Sequence, residues 1–397
     1  MDQRTIIAER SRQTWMKAGS GDFEAFKALV GQTAQKDDWP FASAVVNNVL
    51  IYDGDAVRKL AQSPENRLEL MAEWVEVFLS GPGVIVIRHA IQDKSVIDEA
   101  SATFEAIITE QRRTNEGGGD HFAKPGANDR IWNAAEKHCI ASPENFARYF
   151  GNVAIGLVSR AWLGDGYQVT AQVNRVNPGG AAQTAHRDYH LGFMTAERLR
   201  QFPTHVHRLS PVLTLQGAVA HCDMPVESGP TLFLPYSQIF LEGYVAFGRD
   251  EYQDWFREHH VQLPLEKGDA VFFNPALMHA AGPNISKDIY RMANLLQVSS
   301  AFGRAIEAVD RTRMSQLLYP VLLEAQRTQS LSGDEIACAI AACAEGYPFP
   351  TNLDNDLPVG GLAPNSQTAL MRELLERQVS AEECCKVLDE QAGRKRP

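Results

Sequence analysis

The chain has 397 residues, 44% hydrophobic and 22% charged, enough to bury a sizeable core without cross-links. With 38 Lys and Arg against 49 Asp and Glu the formal charge is −11, which argues against nucleic acid and against an anionic membrane surface as partners. Six scattered cysteines make no disulfide framework and no zinc-type spacing, and the longest apolar run, residues 336–344, is well short of the ~20 residues of a membrane span. The charged start MDQRTIIAERSRQTW lacks the apolar segment of a secretory signal, so a reduced, cytoplasmic chain is expected.

The first eighty residues read as mostly helical: Phe23, Phe26, Leu29 and Val30, then Leu68, Met71, Val75, Phe78 and Leu79, recur at helical spacing. Ser80-Gly81-Pro82-Gly83 stops the second helix, and GVIVIRH (83–89) reads as a short buried strand. Helical periodicity resumes over 95–113. The loop NEGGGDHFAKPGANDR (115–130) lacks the strand–glycine–helix context of a phosphate cradle. From about Tyr167 to Phe302 the pattern turns to strands, with YQVTAQVNRVN, VLTLQGAVAH, TLFLPYS, VQLPLEKGDAVFF and YRMANLLQVSSAF punctuated by Gly and Pro. That sequence of short strands predicts a closed or double-sheet β architecture, and the last ninety residues return to helix.

Three features stand in order within the β region. His186-Arg187-Asp188 forms an H-x-D, His279 lies 91 residues beyond Asp188, and Arg291 follows His279 by 12 residues at the start of the next strand. On a strand, positions i and i+2 share a face, so His186 and Asp188 can reach one ion together while Arg187 points away and is expected to be structural. Two imidazoles and one carboxylate are the facial triad of non-haem iron(II) oxygenases, leaving three positions for a bidentate 2-oxo acid and dioxygen. A guanidinium suits the far carboxylate of that acid because it grips it bidentately.

The sequence resembles the phytanoyl-CoA dioxygenase family of iron(II)/2-oxoglutarate-dependent oxygenases. The resemblance rests on AHRDYHLGF, on AHCDMPVESGPTLFLPYSQ (220–238, with Gln238 where the family usually has His) and on EKGDAVFFNPALMHAAGPNISKDIYRMANL (266–295). GPGVIVIRHAI is a weaker match to the opening strand, and together these cover about 83–305.

The resemblance implies a mainly β core with α additions, a double-stranded β-helix or jelly-roll, flanked by N- and C-terminal helices. The expected division is an N-terminal helical extension (1–82), the oxygenase core (83–305) and a C-terminal helical extension (306–397), the extensions capping the pocket or mediating a homo-oligomer. The resemblance also implies iron(II) on His186, Asp188 and His279, with 2-oxoglutarate anchored by Arg291, dioxygen as cosubstrate and succinate as coproduct. Halogenating relatives replace the metal carboxylate with a small residue. Asp188 is present, so hydroxylation of a small or medium-sized metabolite is the expected reaction. Desaturation, cyclisation or C–heteroatom cleavage with the same cofactors remain alternatives, as does a non-catalytic metal-binding β-barrel.

Further candidates are less specific. Gln172 and Asn174 share a strand face leading toward the H-x-D and are expected near 2-oxoglutarate. Lys124 and Arg130, with His121, would receive an anionic substrate from the loop beside the barrel mouth. Tyr189, His190 and Phe193 would wall the substrate pocket, and Trp132 and Trp162 read as core residues. His205, His207, His221, His259 and His260 have no ligand spacing with a carboxylate or cysteine, so no second metal site is expected.

Overall fold

The computed structural model describes residues 2–114, 126–358 and 360–397. Eleven strands form two sheets: β1 (Ala44–Val46), β2 (Val49–Asp53), β3 (Val84–Arg88), β4 (Asn128–Ile131), β5 (Gln168–Val176), β6 (Thr214–Ala220), β7 (Leu232–Leu234), β8 (Val261–Gln262), β9 (Ala270–Phe273), β10 (Met278–Ala280) and β11 (Arg291–Ser299). The large sheet runs β1-β2-β3-β9-β6-β11-β5-β4, antiparallel except for the parallel β2–β3 pair, and the small one runs β10-β7-β8. This is a mixed α/β architecture built on an eight-stranded and a three-stranded sheet.

Alternation along the long strands gives the large sheet two different faces. Ile85, Ile87, Phe272, Val219, Val169, Ala171, Val173, Leu296 and Val298 are buried in one cluster with Trp74, Val77 and Phe78 of the helix Pro64–Leu79. That cluster also contains Met314, Leu318, Tyr319 and Leu322 of the helix Arg311–Thr328. The C-terminal helices therefore buttress the outer face of the large sheet. The opposite face carries Val84, Val86, Ala218, Ala220, Val271 and Phe273, which pack with Phe233, Leu263, Leu265 and Leu277. Between the two sheets, toward the β5–β4 side, the apolar packing opens into a pocket lined by both polar and apolar side chains.

The N-terminal segment is not purely helical. Its helices Phe23–Val30 and Pro64–Leu79 agree with the periodicity and Gln3–Thr14 and Gly54–Ala61 add to the helical content, but β1 and β2 also lie in this segment and form one edge of the large sheet. Asn47 and Asn48 have φ of 51° and 64°, the left-handed pair that a two-residue hairpin turn requires, and Asn readily supplies it. Asn48 also accepts from the Ala34 N–H at 2.8 Å and donates to the Gln32 carbonyl at 3.0 Å, which fixes the turn. The short helices Ala196–Leu199, Thr204–Leu209 and Gly243–Ala246 and the helix Asp250–His259 likewise interrupt the strand run that the sequence suggested.

At Ser80-Gly81-Pro82-Gly83 the chain turns into β3 with Gly83 at φ 83°, and a Cβ there would meet the Gln238 side chain at 2.5 Å. Gln238 donates to the Gly81 carbonyl at 2.7 Å, so the residue that departs from the family pattern ties this turn to the segment after β7.

Candidate metal centre and cosubstrate pocket

His186 and His279 meet through their backbones. Each donates its N–H to the other's carbonyl at 3.0 Å, forming an isolated antiparallel bridge beside β10. Asp188 is held two residues on, its N–H donating to the Pro275 carbonyl at 2.8 Å. The parity argument holds: a ligand atom from each of His186, Asp188 and His279 falls within 4.8 Å of the other two. Among the described residues this is the one group of three His, Cys, Asp or Glu side chains close enough to share an ion.

The imidazole hydrogen bonds show that the group suits a metal. His186 Nδ1 lies 2.9 Å from the Thr184 carbonyl and His279 Nδ1 lies 2.8 Å from the Leu277 carbonyl. A carbonyl only accepts, so each Nδ1 carries a proton and Nε2 is the ring nitrogen left to serve as a ligand atom. Burial, and then the neighbouring His186, push the His279 pKa down to about 4, keeping that ring neutral at ordinary pH. Asp188 Oδ1 is buried without a hydrogen bond and lies 3.8 Å from His186 Nε2. Two imidazoles and an oxygen left without a donor are a donor set for a divalent first-row cation.

Arg187, between the ligands, points the opposite way. Its guanidinium donates to the carbonyls of Ala276, Phe240 (2.7 Å) and Gln238 (3.0 Å) and stands 4.5 Å over the Tyr244 ring. It thus clamps the ligand-bearing segment to the chain leading into β10.

Arg291 opens β11 on the same inner face as Ala293, Leu295 and Gln297. It is 6% exposed and its Nε has no partner; no ion pair or side-chain hydrogen bond from it is formed among the described residues. Burial lowers its pKa to about 10, so the guanidinium stays charged at neutral pH. A buried cation without a counter-ion is costly, and an incoming carboxylate removes that cost.

Gln172 and Asn174 also line the pocket, from the inner face of β5. Arg130 donates to Gln172 Oε1, and Asn174 Oδ1 is buried without a partner. Arg130 itself lies at the edge strand β4, 4.8 Å over the ring of Trp132. Trp132 is not a core residue as its size suggested: it follows an edge strand, is 38% exposed and joins Phe193 and Ile306 in lining the pocket. Phe193 meets the expectation, its ring 5.5 Å from that of His186.

Tyr189 corrects another expectation. By the parity that brings His186 and Asp188 together, it falls on the other side with Arg187, packed 5.1 Å from Tyr244 and 5.6 Å from His207. It does not line the pocket. His190 is engaged in structure, its N–H donating to Ser210 Oγ at 2.9 Å and its Nδ1 3.0 Å from Thr214 Oγ1. Trp162 donates to the carbonyls of Pro211 and Thr214, away from the pocket. His121 and Lys124 lie outside the described residues.

Sequence reading missed Gln216, Gln297 and Gln183, three amides that line the same pocket. The first two sit directly opposite each other in the β6–β11 register, a pairing that strand periodicity within either segment does not specify.

The chain was compared with known proteins. No curated protein matches it. Among solved structures, the non-haem alpha-ketoglutarate-dependent epimerase SnoN from nogalamycin biosynthesis is 20% identical, covering 60% of this chain and 82% of its own, with a TM-score of 0.42. A SnoN structure with Fe3+, alpha-ketoglutarate and nogalamycin RO is 18% identical over 61% of this chain and 87% of its own, TM-score 0.42. The carbocyclase SnoK from the same biosynthesis is 21% identical over 59% and 86%, TM-score 0.40. The family model of phytanoyl-CoA dioxygenase (PhyH) matches residues 53–293, more than half of the chain and a span that includes His186, Asp188, His279 and Arg291. The chain therefore belongs to the PhyH family of non-haem iron/2-oxoglutarate oxygenases.

Proposed function

We propose that this protein is an iron(II)- and 2-oxoglutarate-dependent dioxygenase that hydroxylates a small or medium-sized metabolite. The observation that carries the reading is the triad itself, with both Nδ1 protons committed to backbone carbonyls and a ligand atom of each of His186, Asp188 and His279 within 4.8 Å of the other two. In this reading His186, Asp188 and His279 hold the metal. Arg291 takes the far carboxylate of 2-oxoglutarate, with Asn174 and Gln172 as polar neighbours. Iron(II) with 2-oxoglutarate supplies the dioxygen-dependent oxidation that releases succinate and carbon dioxide.

The protein's own part is positioning. Ala218, Ala220, Ala293 and Leu295 give the cosubstrate a dry wall between the triad and Arg291, while Trp132, Phe193 and Ile306 leave an apolar rim for the body of the substrate. Gln183 and Gln297 offer amide groups to the substrate's polar atoms. The two sheets are read as the two layers of a double-stranded β-helix, with residues 83–305 as its core. No described helix is long and apolar enough to cross a membrane, and the site is built for a small molecule.

Hydroxylation is preferred because Asp188 occupies the carboxylate position. Where the substrate's C–H lies relative to the metal decides between hydroxylation and a desaturation, cyclisation or cleavage outcome. The test is incubation of the iron(II) protein with 2-oxoglutarate and metabolite pools under 18O2. The expected result is succinate formation matched by a product carrying one 18O atom. Succinate matched by a product two hydrogens lighter would replace hydroxylation by desaturation, and no succinate with any pool would favour a non-catalytic metal-binding protein.

A further inference from the structure

Gln216 touches the site without being a candidate ligand for its ion. It lies on β6 between Gln297 of β11 and Phe273 of β9 and is 4% exposed. Its Nε2 donates to Asp188 Oδ2 and stands 3.5 Å from Gln297 Oε1. The amide orientation follows from chemistry, since an ionised carboxylate accepts only: the NH2 faces Asp188 and the carbonyl faces away. That carbonyl, Gln216 Oε1, is buried without a hydrogen bond, a cost accepted at this position. The two oxygens of Asp188 are therefore unequal. Oδ2 is tied to the amide, whereas Oδ1 has no hydrogen bond and lies 3.8 Å from His186 Nε2.

We propose that Gln216 is a positioning residue that holds Asp188 as a one-oxygen metal ligand. The proposal rests on the reading of His186, Asp188 and His279 as the metal site. Two imidazoles and one carboxylate oxygen occupy three of six positions around an octahedral ion, and a carboxylate rotated to give both oxygens occupies a fourth. Three positions must stay open for a bidentate 2-oxo acid and dioxygen, so the rotation of Asp188 is a functional variable. A fixed donor on Oδ2 suppresses it. The rigid strand β6 sets the amide's place, with Phe273 and Gln297 on either side in register.

The test uses cobalt(II) as a spectroscopic probe, titrated anaerobically into the metal-free full-length protein. Wild type, Gln216→Met, Gln216→Leu and Asp188→Ala are compared. Met matches the length of Gln without its donor, so at least one variant retains packing; circular dichroism melts verify the fold. The expected result is a cobalt(II) affinity lowered about 10–100-fold in the Gln216 variants, the usual consequence of removing a partner that orients a ligand. The visible ligand-field bands should also change shape, because the coordination number changes, and a general loss of packing would not produce that signature. Wild-type affinity and bands in a folded Gln216→Met variant, with binding lost in Asp188→Ala, would overturn the proposal and leave the metal site standing. Absence of cobalt binding by the wild type would remove the metal site and the proposal together.

Discussion

His186 and His279 are paired through their main chains, each N–H on the other's carbonyl at 3.0 Å, with ring centroids 4.5 Å apart. The contact between two metal-ligand candidates distant in sequence is thus made by backbone. A His279→Ala variant keeps the bridge and should melt, metal-free, within a few degrees of wild type. Its iron(II) or cobalt(II) affinity should fall by at least about 100-fold, since a ligand and not an orienting partner is lost. Equilibrium metal titration beside thermal denaturation checks both halves.

Arg291 is buried and charged with no counter-ion among the described residues. Adding 2-oxoglutarate should therefore stabilise the protein, by about 2.7 kcal/mol at a hundred times its dissociation constant. Arg291→Gln should lose most of that thermal shift and raise KM for 2-oxoglutarate at least about 100-fold. Arg291→Lys, which restores charge but not the bidentate grip, should fall between the two. A Lys variant equal to wild type would show that only charge matters there.

Gly243 lies where a Cβ would meet Arg187 Nη1 at 1.7 Å. A guanidinium is usually free to move aside, but this one is fixed by three carbonyls on either side of the ligand segment. Gly243→Ala should therefore displace Arg187 and destabilise the protein by about 1–3 kcal/mol for each carbonyl left without its donor. Arg187→Met should do the same. Urea midpoints measure the loss, and metal affinity should drop with it.

His138 and His221 are neutral, buried and outside the pocket. Burial lowers His138 to about 4; burial, and then the nearby His138, lower His221 to about 3. His138 Nε2 donates to Asn145 Oδ1 at 2.7 Å, leaving Nδ1 buried without a partner among the rings of Phe104, Phe146 and Tyr149. Folded pKa values below the unfolded value of about 6.5 mean that the unfolded chain binds more protons between those limits. Stability should then fall as pH drops from about 6.5 toward 4, with a slope on the order of 1.4 kcal/mol per pH unit for each group. His138→Gln should make the urea midpoint less dependent on pH across that window. An unchanged slope would show that His138 is not carrying the effect.

The legible parts of the molecule were those governed by period and by residue type. Alternation in RMANLLQVS places Arg291 and Gln297 on one face and Met292 and Leu296 on the other, as the sheet shows. The same rule, applied consistently, excludes Tyr189 from the pocket that holds His186 and Asp188. Gln216 was not legible because its role depends on which strand lies beside which. Register between β6 and β11 is set by packing across the whole sheet. The hairpin at Asn47-Asn48 did have a local signal, an Asn pair between apolar segments, which the helical periodicity on either side obscured.

In the proposed function the triad and Arg291 together hold iron(II) and 2-oxoglutarate. Anaerobic titration of the metal-free protein with iron(II) and 2-oxoglutarate, followed by visible absorption, tests it most directly. The expected result is the charge-transfer band of an iron(II)-chelated 2-oxo acid, saturating at one iron per chain. It should be absent in His279→Ala and shifted to much higher 2-oxoglutarate concentration in Arg291→Gln. No band in the wild type, or an equal band in His279→Ala, would contradict it.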